Sequence, residues 1–396
     1  MGEIIVRRVQ GDELVRVMHQ LTGYAFAASP PMADKAEWEE SATLRHYATC
    51  LALFDDDEPM SCVVSIPMQQ HVRGKIFSIG SVGEVAAAPE GRRKGYTTRL
   101  ILDAFRTIYD AGQVFSVLYP FKESFYERLG YASFPHPRIV RFPVSALAPV
   151  LKFGLDGTFK RLPIEEGGEA FLVYLRKYQH HARAHGLALD DAGALLQKKL
   201  WLVQAQVNGE TVGVMTYVFT GEFGMFTMEI KHFYYSNSHA KYLLLEWIAR
   251  HIGQAGIAEI KLSPTEVPEM WLSDLDLRIN SDVAIGHDGA MGRVMNVLAI
   301  GGMQTGPGRF CAHISDPQCS WNDGDYLFET VDGVLEVRPI DEVDCHLTIQ
   351  AISALAYGTH DPADFSFRKW GNPSLETQQV MGQMFPRLLP YIHESF

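Results

Sequence analysis

The sequence predicts an α+β protein of mixed sheets, and three observations carry that prediction. Strand and helix signals alternate from the start of the chain to about residue 150. A weaker version of the same order recurs over residues 150–285. From Met291 the signals become strands in a meander, closed by two helical stretches. At 396 residues the chain is also too long for one ordinary domain of roughly 100–200 residues. Domains are therefore expected at 1–148, 149–286 and 287–396.

Each element has its own signal. Glu3 to Val9 reads as a short strand and Gly11 to Tyr24 as a helix. Ala42 to Leu53 is apolar at mixed spacing and ends in the acidic turn Asp55-Asp56-Asp57-Glu58. Met60 to Met68 and Phe77 to Ala88 read as neighbouring strands joined through Arg73-Gly74-Lys75. Apolar residues near 3.6-residue spacing predict a helix from Tyr96 to Ala111, stopped by Gly112. Val114 to Tyr119 is a strand, Phe125 to Leu129 a short helix, and Pro135, Pro137 and Pro143 mark the exit. In the second region, helices are expected at Ala170 to Ala184 and Ala240 to Gly253. Leu200 to Val207, Thr211 to Thr220 and Phe226 to Tyr235 read as strands. The third region has strands around Val294 to Leu298, Cys311 to Asp316, Tyr326 to Thr330 and Val331 to Val337, with Asp332-Gly333 as a hairpin turn. Helices at Ile349 to Tyr357 and Ser374 to Phe385 close the chain.

Composition excludes several classes. Apolar residues make up 47% and charged residues 21%, the balance of a globular protein with ample core. No apolar run approaches the ~18 residues of a transmembrane helix. The N-terminus turns charged at once, so a cytoplasmic location is expected. Five cysteines without a CxxC pair suggest neither a disulfide framework nor a zinc ribbon. A net charge of -12 argues against general nucleic-acid binding. Residues 1–150 carry only -1 of it and hold the dense basic cluster Arg92-Arg93-Lys94, whereas 151–396 carry -11. That acidic excess suits a cationic substrate, although plain solubility explains it as well.

The chemistry concentrates in one segment, Val82 to Leu100. A strand delivers the chain to Gly91-Arg92-Arg93-Lys94-Gly95, which opens directly onto a helix. Unpaired N–H groups at a helix N-terminus, with the helix dipole, form a ready phosphate site. Gly95 lets backbone approach the anion without a Cβ in the way, and the basic side chains add charge-assisted bonds. The plain alternative is an ordinary strand-to-helix turn with solvated cations.

The layout resembles the GNAT superfamily of acyl-CoA-dependent N-acyltransferases, whose loop reads R/Q-x-x-G-x-G/A. Here Arg92-Arg93-Lys94-Gly95-Tyr96-Thr97 matches except at Thr97, where the small residue is replaced. Phe125-Tyr126-Glu127-Arg128-Leu129-Gly130-Tyr131 resembles the superfamily's FYxRxGY segment. The whole chain is similar to the Eis-like acetyltransferases, in which two tandem GNAT domains, the second degenerate, precede a sterol-carrier-like α+β domain. In the second region Ser236-Asn237-Ser238-His239 stands where the first has its basic glycine loop.

The resemblance implies acetyl-CoA as co-substrate, without a metal. It implies that the backbone of Val85, Ala86 and Ala87 pairs with the pantetheine arm. Arg92, Arg93, Lys94, Gly95, Tyr96 and Thr97 would hold the pyrophosphate, and Phe121 would make a second cofactor contact. Tyr126 would be the general acid for the departing thiolate, and the terminal carboxylate of Phe396 the base. Glu394 is a second acid nearby, without an assigned role. The implied activity is acetylation of primary amines on a cationic small molecule, aminoglycoside-like or polyamine-like, by direct attack in a ternary complex. A homo-oligomer, hexameric in relatives, is implied by analogy; neither nucleic acid nor membrane is expected as a partner.

Other signals are weaker. His181 and His185 have an i,i+4 spacing that can hold metal, but without further ligands they read as a solvated helix face. Gly301 to Arg309 lacks the Gly-Lys-Ser/Thr of a nucleotide loop, and Gly-x-Ser-x-Gly does not occur. The rival to an enzyme is a catalytically silent protein of the same fold that binds a lipid or other small molecule.

Overall fold

A computed structural model describes residues 3–27, 29–30, 35–190, 192–222, 224–280 and 289–392. The described residues form two compact units: one from residues up to 134 with 290–388, the other from 135–289 with 389–392.

The first unit begins with β1 (Ile4–Val9), α1 (Gly11–Ala27), α2 (Lys35–Leu44), β2 (Thr49–Asp55), β3 (Glu58–Val72) and β4 (Lys75–Ala87). It continues through α3 (Tyr96–Asp110), β5 (Phe115–Leu118), α4 (Glu123–Glu127) and β6 (Ala132–Ser133). Strands β1 to β4 form an antiparallel meander. The β3–β4 hairpin closes through Arg73 and Gly74, both at positive φ (45° and 81°), which two-residue hairpin turns of this hand demand. The α3 residues Leu100, Ile101, Ala104, Phe105 and Ile108 are buried at helical spacing. They form one core with Leu53, Val63 and Val82 of the sheet. Each such side chain contributes roughly 1.5–3 kcal/mol when fully buried. Successive strand residues face opposite ways, so Cys62 points to the other face, where Thr22 Oγ1 of α1 lies 3.7 Å from its Sγ.

The second unit contains β7 (Arg138–Pro143), β8 (Thr158–Pro163), α5 (Ile164–Tyr178), β9 (Ala188–Leu189) and α6 (Gly193–Leu196). It is completed by β10 (Trp201–Val207), β11 (Glu210–Thr220), β12 (Phe226–Tyr235), α7 (Ser238–Ala249), β13 (Ala255–Leu262) and β14 (Arg278–Asn280). Its sheet runs β14-β7-β13-β12-β11-β10-β8. A meander leads into a strand, a helix and a parallel strand, as in the first unit. The first unit gives way to the second at Pro135, where the exit was read, and Arg138–Pro143 of that segment forms β7, inside this sheet. Pro137 and Pro143 are compatible with that because they stand just before the strand and at its last residue.

The chain then returns to the first unit with β15 (Met291–Val294), β16 (Arg309–Ser315), β17 (Gly324–Val331), β18 (Val334–Pro339) and β19 (Cys345–Thr348). Helices α8 (Ile349–Tyr357) and α9 (Leu375–Met384) follow. A 4-stranded sheet runs β18-β17-β16-β19, with the expected turn at Asp332 and Gly333 (φ 51° and 80°). Strand β15 departs from the meander expected there. It joins the first sheet, antiparallel to both β5 and β6.

Candidate active site

The parallel pairing of β4 with β5 is short. It covers Ile79–Ser81 against Phe115–Val117, yet β4 runs on to Ala87. Beyond Ser81 the pairing stops, and among the described residues this side of Val82–Ala87, the cleft edge, has no strand partner. An unpaired strand edge of this kind can take an extended ligand by strand addition. Val85 and Ala87 are partly exposed and Ala86 is buried.

Within this edge β4 carries a bulge. Cys62 pairs with Ala86 and Val64 with Gly83, so β4 spends an extra residue between these pairs. Glu84 takes up the irregularity at φ 50°, and its carbonyl accepts a hydrogen bond from Cys62 Sγ at 3.5 Å. Bulges re-aim side chains and recur beside active sites. Glu84 itself was not singled out from sequence; the one signal was a carboxylate inside an otherwise apolar strand.

At the end of β4 the loop reaches α3 through Gly95, the N-cap, at φ 82°. No side chain caps this helix, so its first N–H groups are left for another acceptor. Among the described residues a Cβ built on Gly95 would meet nothing within 4 Å, which leaves open space above the helix end. Arg92, Arg93 and Lys94 are exposed around it. Three expected contacts are engaged elsewhere through their side chains, and the first is Lys94, whose Nζ lies 3.9 Å from Asp55 Oδ2. Tyr96 is buried in the α3 core, and its hydroxyl donates to Asp55 Oδ2 at 3.2 Å. Thr97 Oγ1 lies 3.3 Å from Ser61 Oγ, and that hydroxyl donates to the Ala86 carbonyl at 2.8 Å. Thr97 thus ties the helix start to the cleft edge, while its backbone remains at the helix N-terminus.

Tyr126 lies in α4, 2% exposed, with ring centroids of Phe121, Phe125 and Tyr131 at 5.5, 5.0 and 6.0 Å. Burial, followed by the neighbouring Tyr131, pushes its phenol well above the usual 10. It is held as a proton donor at every ordinary pH. Tyr131 is committed to a hydrogen bond with Ser116 Oγ at 2.7 Å. Phe121 is exposed at 53% and meets Tyr126 edge to face, with the ring planes at 71°. Phe396 and Glu394 lie outside the described residues.

The second unit repeats the parting of strands: β12 pairs with β13 only as far as Ile230–Ile260 and then continues to Tyr235. Its helix end differs. Asn237 caps α7 by accepting from the Ala240 N–H at 2.9 Å, so the chain itself occupies part of what is open at Gly95. The His181–His185 pair is not on a helix. Helix α5 ends at Tyr178, His181 Nδ1 accepts from the Arg183 N–H, and His185 is 3% exposed. Among the described residues no group of three or more His, Cys, Asp or Glu is placed to hold a metal ion, and no helix is long and apolar enough to cross a membrane.

Residues 6–134 match the profile of the acetyltransferase (GNAT) domain. No curated protein sequence matches the chain. Three solved structures resemble it over its whole length and over the whole of their own. A conserved protein of unknown function from Enterococcus faecalis V583, described as a probable N-acyltransferase, superposes with a TM-score of 0.84 at 20% identity, covering 100% of each chain. A GCN5-related N-acetyltransferase from Anabaena variabilis ATCC 29413 gives 0.83 at 16%, again with 100% of each chain. Eis1 from Mycobacterium abscessus gives 0.79 at 14%, with the same full coverage. At these identities the likeness is one of fold.

Proposed function

We propose, from an acetyltransferase (GNAT) domain at residues 6–134 within a fold shared with Eis1 over the full chain, that this protein is an acetyl-CoA-dependent N-acetyltransferase acting on primary amines of a cationic small molecule. The chain carries an acyltransferase domain, and the co-substrate and the amine are the parts proposed. The observation that carries the reading is the continuity of β4, loop and α3. A strand edge released from its neighbour at Ser81 leads to an uncapped helix N-terminus with open space at Gly95.

In this reading Val85 to Ala87 hold the pantetheine arm by backbone pairing, and the N–H groups from Gly95 to Thr97 take the pyrophosphate with Arg92, Arg93 and Lys94. Phe121 supplies apolar contact beside the thioester. The neutral amine attacks the acetyl carbonyl directly, and Tyr126 protonates the departing thiolate. The acidic balance of residues 151–396 favours a cationic acceptor.

Calorimetric titration of the untagged protein with acetyl-CoA tests the reading without choosing an amine. Saturable binding that Arg92→Ala weakens supports it. Absence of binding gives the lead to a catalytically silent binding protein.

A further inference from the structure

The second unit holds a pocket of its own where β12 and β13 part. Lys231 to Tyr235 line it from β12, Lys261 to Ser263 from the end of β13 onward, and Tyr178, Arg183 and Glu266 join them. Side chains alternate along a strand, so five successive lining residues set the β12 main chain along the pocket. Past Ile230 that edge has no strand partner among the described residues. Tyr178 lines the pocket at 8% exposure, and among the described residues its hydroxyl makes no hydrogen bond. An enclosed hydroxyl left unpaired costs stability unless a polar group completes it. Arg183 and Glu266 both act electrostatically on that hydroxyl. Arg183 Nη1 lies 3.6 Å from Glu266 Oε1, too long for a hydrogen bond, so among the described residues the guanidinium donates none. The Tyr235 ring holds it in place, with its centre 4.7 Å from Arg183 Cζ. Glu266 Oε1 meanwhile accepts from the Tyr235 hydroxyl at 2.5 Å.

We propose that this pocket binds the carboxylate end of an extended peptide, with Arg183 and Tyr178 taking the carboxylate and the β12 edge pairing with the peptide backbone. The planar guanidinium matches a carboxylate with two parallel hydrogen bonds, and the Tyr178 hydroxyl supplies a further donor. An unpaired strand edge supplies alternating N–H and C=O groups, which only a chain of amides can answer in register. Three cations, Arg183, Lys231 and Lys261, line the pocket against the one carboxylate of Glu266, a balance that favours an anion. Lys231 is answered by Glu229 at 2.7 Å, whereas the Arg183 fork is unspent. A phosphate is less well served here. Asn237 already takes the Ala240 N–H at the start of α7, and Ser236-Asn237-Ser238-His239 carries no Lys or Arg. Glu266 repels the incoming carboxylate and keeps its affinity modest. This inference goes beyond the transferase reading and stands independently of it.

The test is calorimetric titration of the untagged full chain with acetyl-Gly-Leu and acetyl-Gly-Phe, each as the free acid and as the carboxamide. Their blocked amines cannot serve as acetyl acceptors, and saturating acetyl-CoA is added in a parallel series. The acids are expected to bind one per chain, equally well with and without acetyl-CoA, and the carboxamides about 10-fold more weakly or worse. Arg183→Gln should abolish the preference for acid over amide, and Tyr178→Phe should weaken the acids by about 10-fold. Glu266→Gln should tighten the acids several-fold and leave the amides unchanged, a gain that a misfolded variant cannot produce. Equal binding of acids and amides, or an acid preference that survives Arg183→Gln, overturns the proposal. So does the absence of saturable binding of either acid to the wild type. Two equivalents of acetyl-CoA per chain, the second lost in Arg183→Gln, would make the pocket a cofactor site instead. None of these peptide outcomes bears on acetyl-CoA binding by the first unit, so the two readings fail separately.

Discussion

Arg293 and Asp316 form a wholly buried ion pair, with Arg293 Nη2 donating to both carboxylate oxygens at 2.9 and 2.7 Å. Arg293 Nη1 donates to the Leu129 carbonyl at 2.7 Å, and the guanidinium lies 4.7 Å from the Phe105 ring centre. Asp316 is completed by the Cys319 N–H and by Asn322 Nδ2 at 3.2 and 3.0 Å. The pair fastens the segment that follows Tyr126 to the C-terminal part of the first unit. Gly130 makes room for it: a Cβ there, at φ 97°, would come within 1.5 Å of Arg293 Nη1.

Asp316→Ala should therefore destabilise the protein by roughly 3–5 kcal/mol, because it strands a buried cation rather than removing a pair. Urea unfolding measures this, and Asp316→Asn should lose less because the amide still accepts hydrogen bonds.

Tyr126→Phe should lower kcat by about 100-fold or more with little change in acetyl-CoA affinity. Burial keeps the phenol protonated well above pH 10, so the loss should be the same from pH 6 to pH 9. Steady-state kinetics across that range checks both points.

Gly95→Ala should fold, at a cost of roughly 1–2 kcal/mol for an L residue in left-handed backbone. Among the described residues nothing lies within 4 Å of the new methyl group. Its main effect should be on acetyl-CoA, whose dissociation constant should rise as the methyl group stands over the helix end. Calorimetry separates the two effects.

His360 gives a pH test of stability. Burial, reinforced by Arg368, pushes its imidazole down to about 4, with Asp364 opposing. The unfolded chain takes up that proton near 6.5, so the contribution of His360 is full above that pH and is lost as pH falls towards 4. Thermal melts from pH 7 to pH 4 should show a steeper decline for wild type than for His360→Leu.

Signals confined to neighbouring residues were readable without coordinates. Gly95 before the periodic α3 and Asp332-Gly333 between two strands both encode their conformation locally. Strand β7 was hidden because Pro137 and Pro143 read as loop until partners flank them. Strand β15 was hidden because its partners β5 and β6 lie far upstream; Gly292 fits there only beside the Tyr357 and Phe134 rings, which a Cβ would meet at 2.4 and 2.6 Å. The basic loop was legible, but the inward turn of Tyr96 and the hydroxyl contact of Thr97 depend on Asp55 and Ser61 across the sheet. The bulge at Glu84 arises from mismatched pairing of β3 and β4, which no single strand announces.

The return of β15 has a bearing on how the protein is made. A ribosome that has released residues up to 134 has produced every residue matching the acetyltransferase profile, but a sheet with a vacant place between β5 and β6. That place is filled only after residues 135–289 of the second unit have been translated. Nascent chains therefore carry this sheet unfinished while residues 135–290 are made, with the facing edges of β5 and β6 unpaired. An excised fragment ending at residue 134 would keep the sequence signature yet lack the strand that seals its sheet.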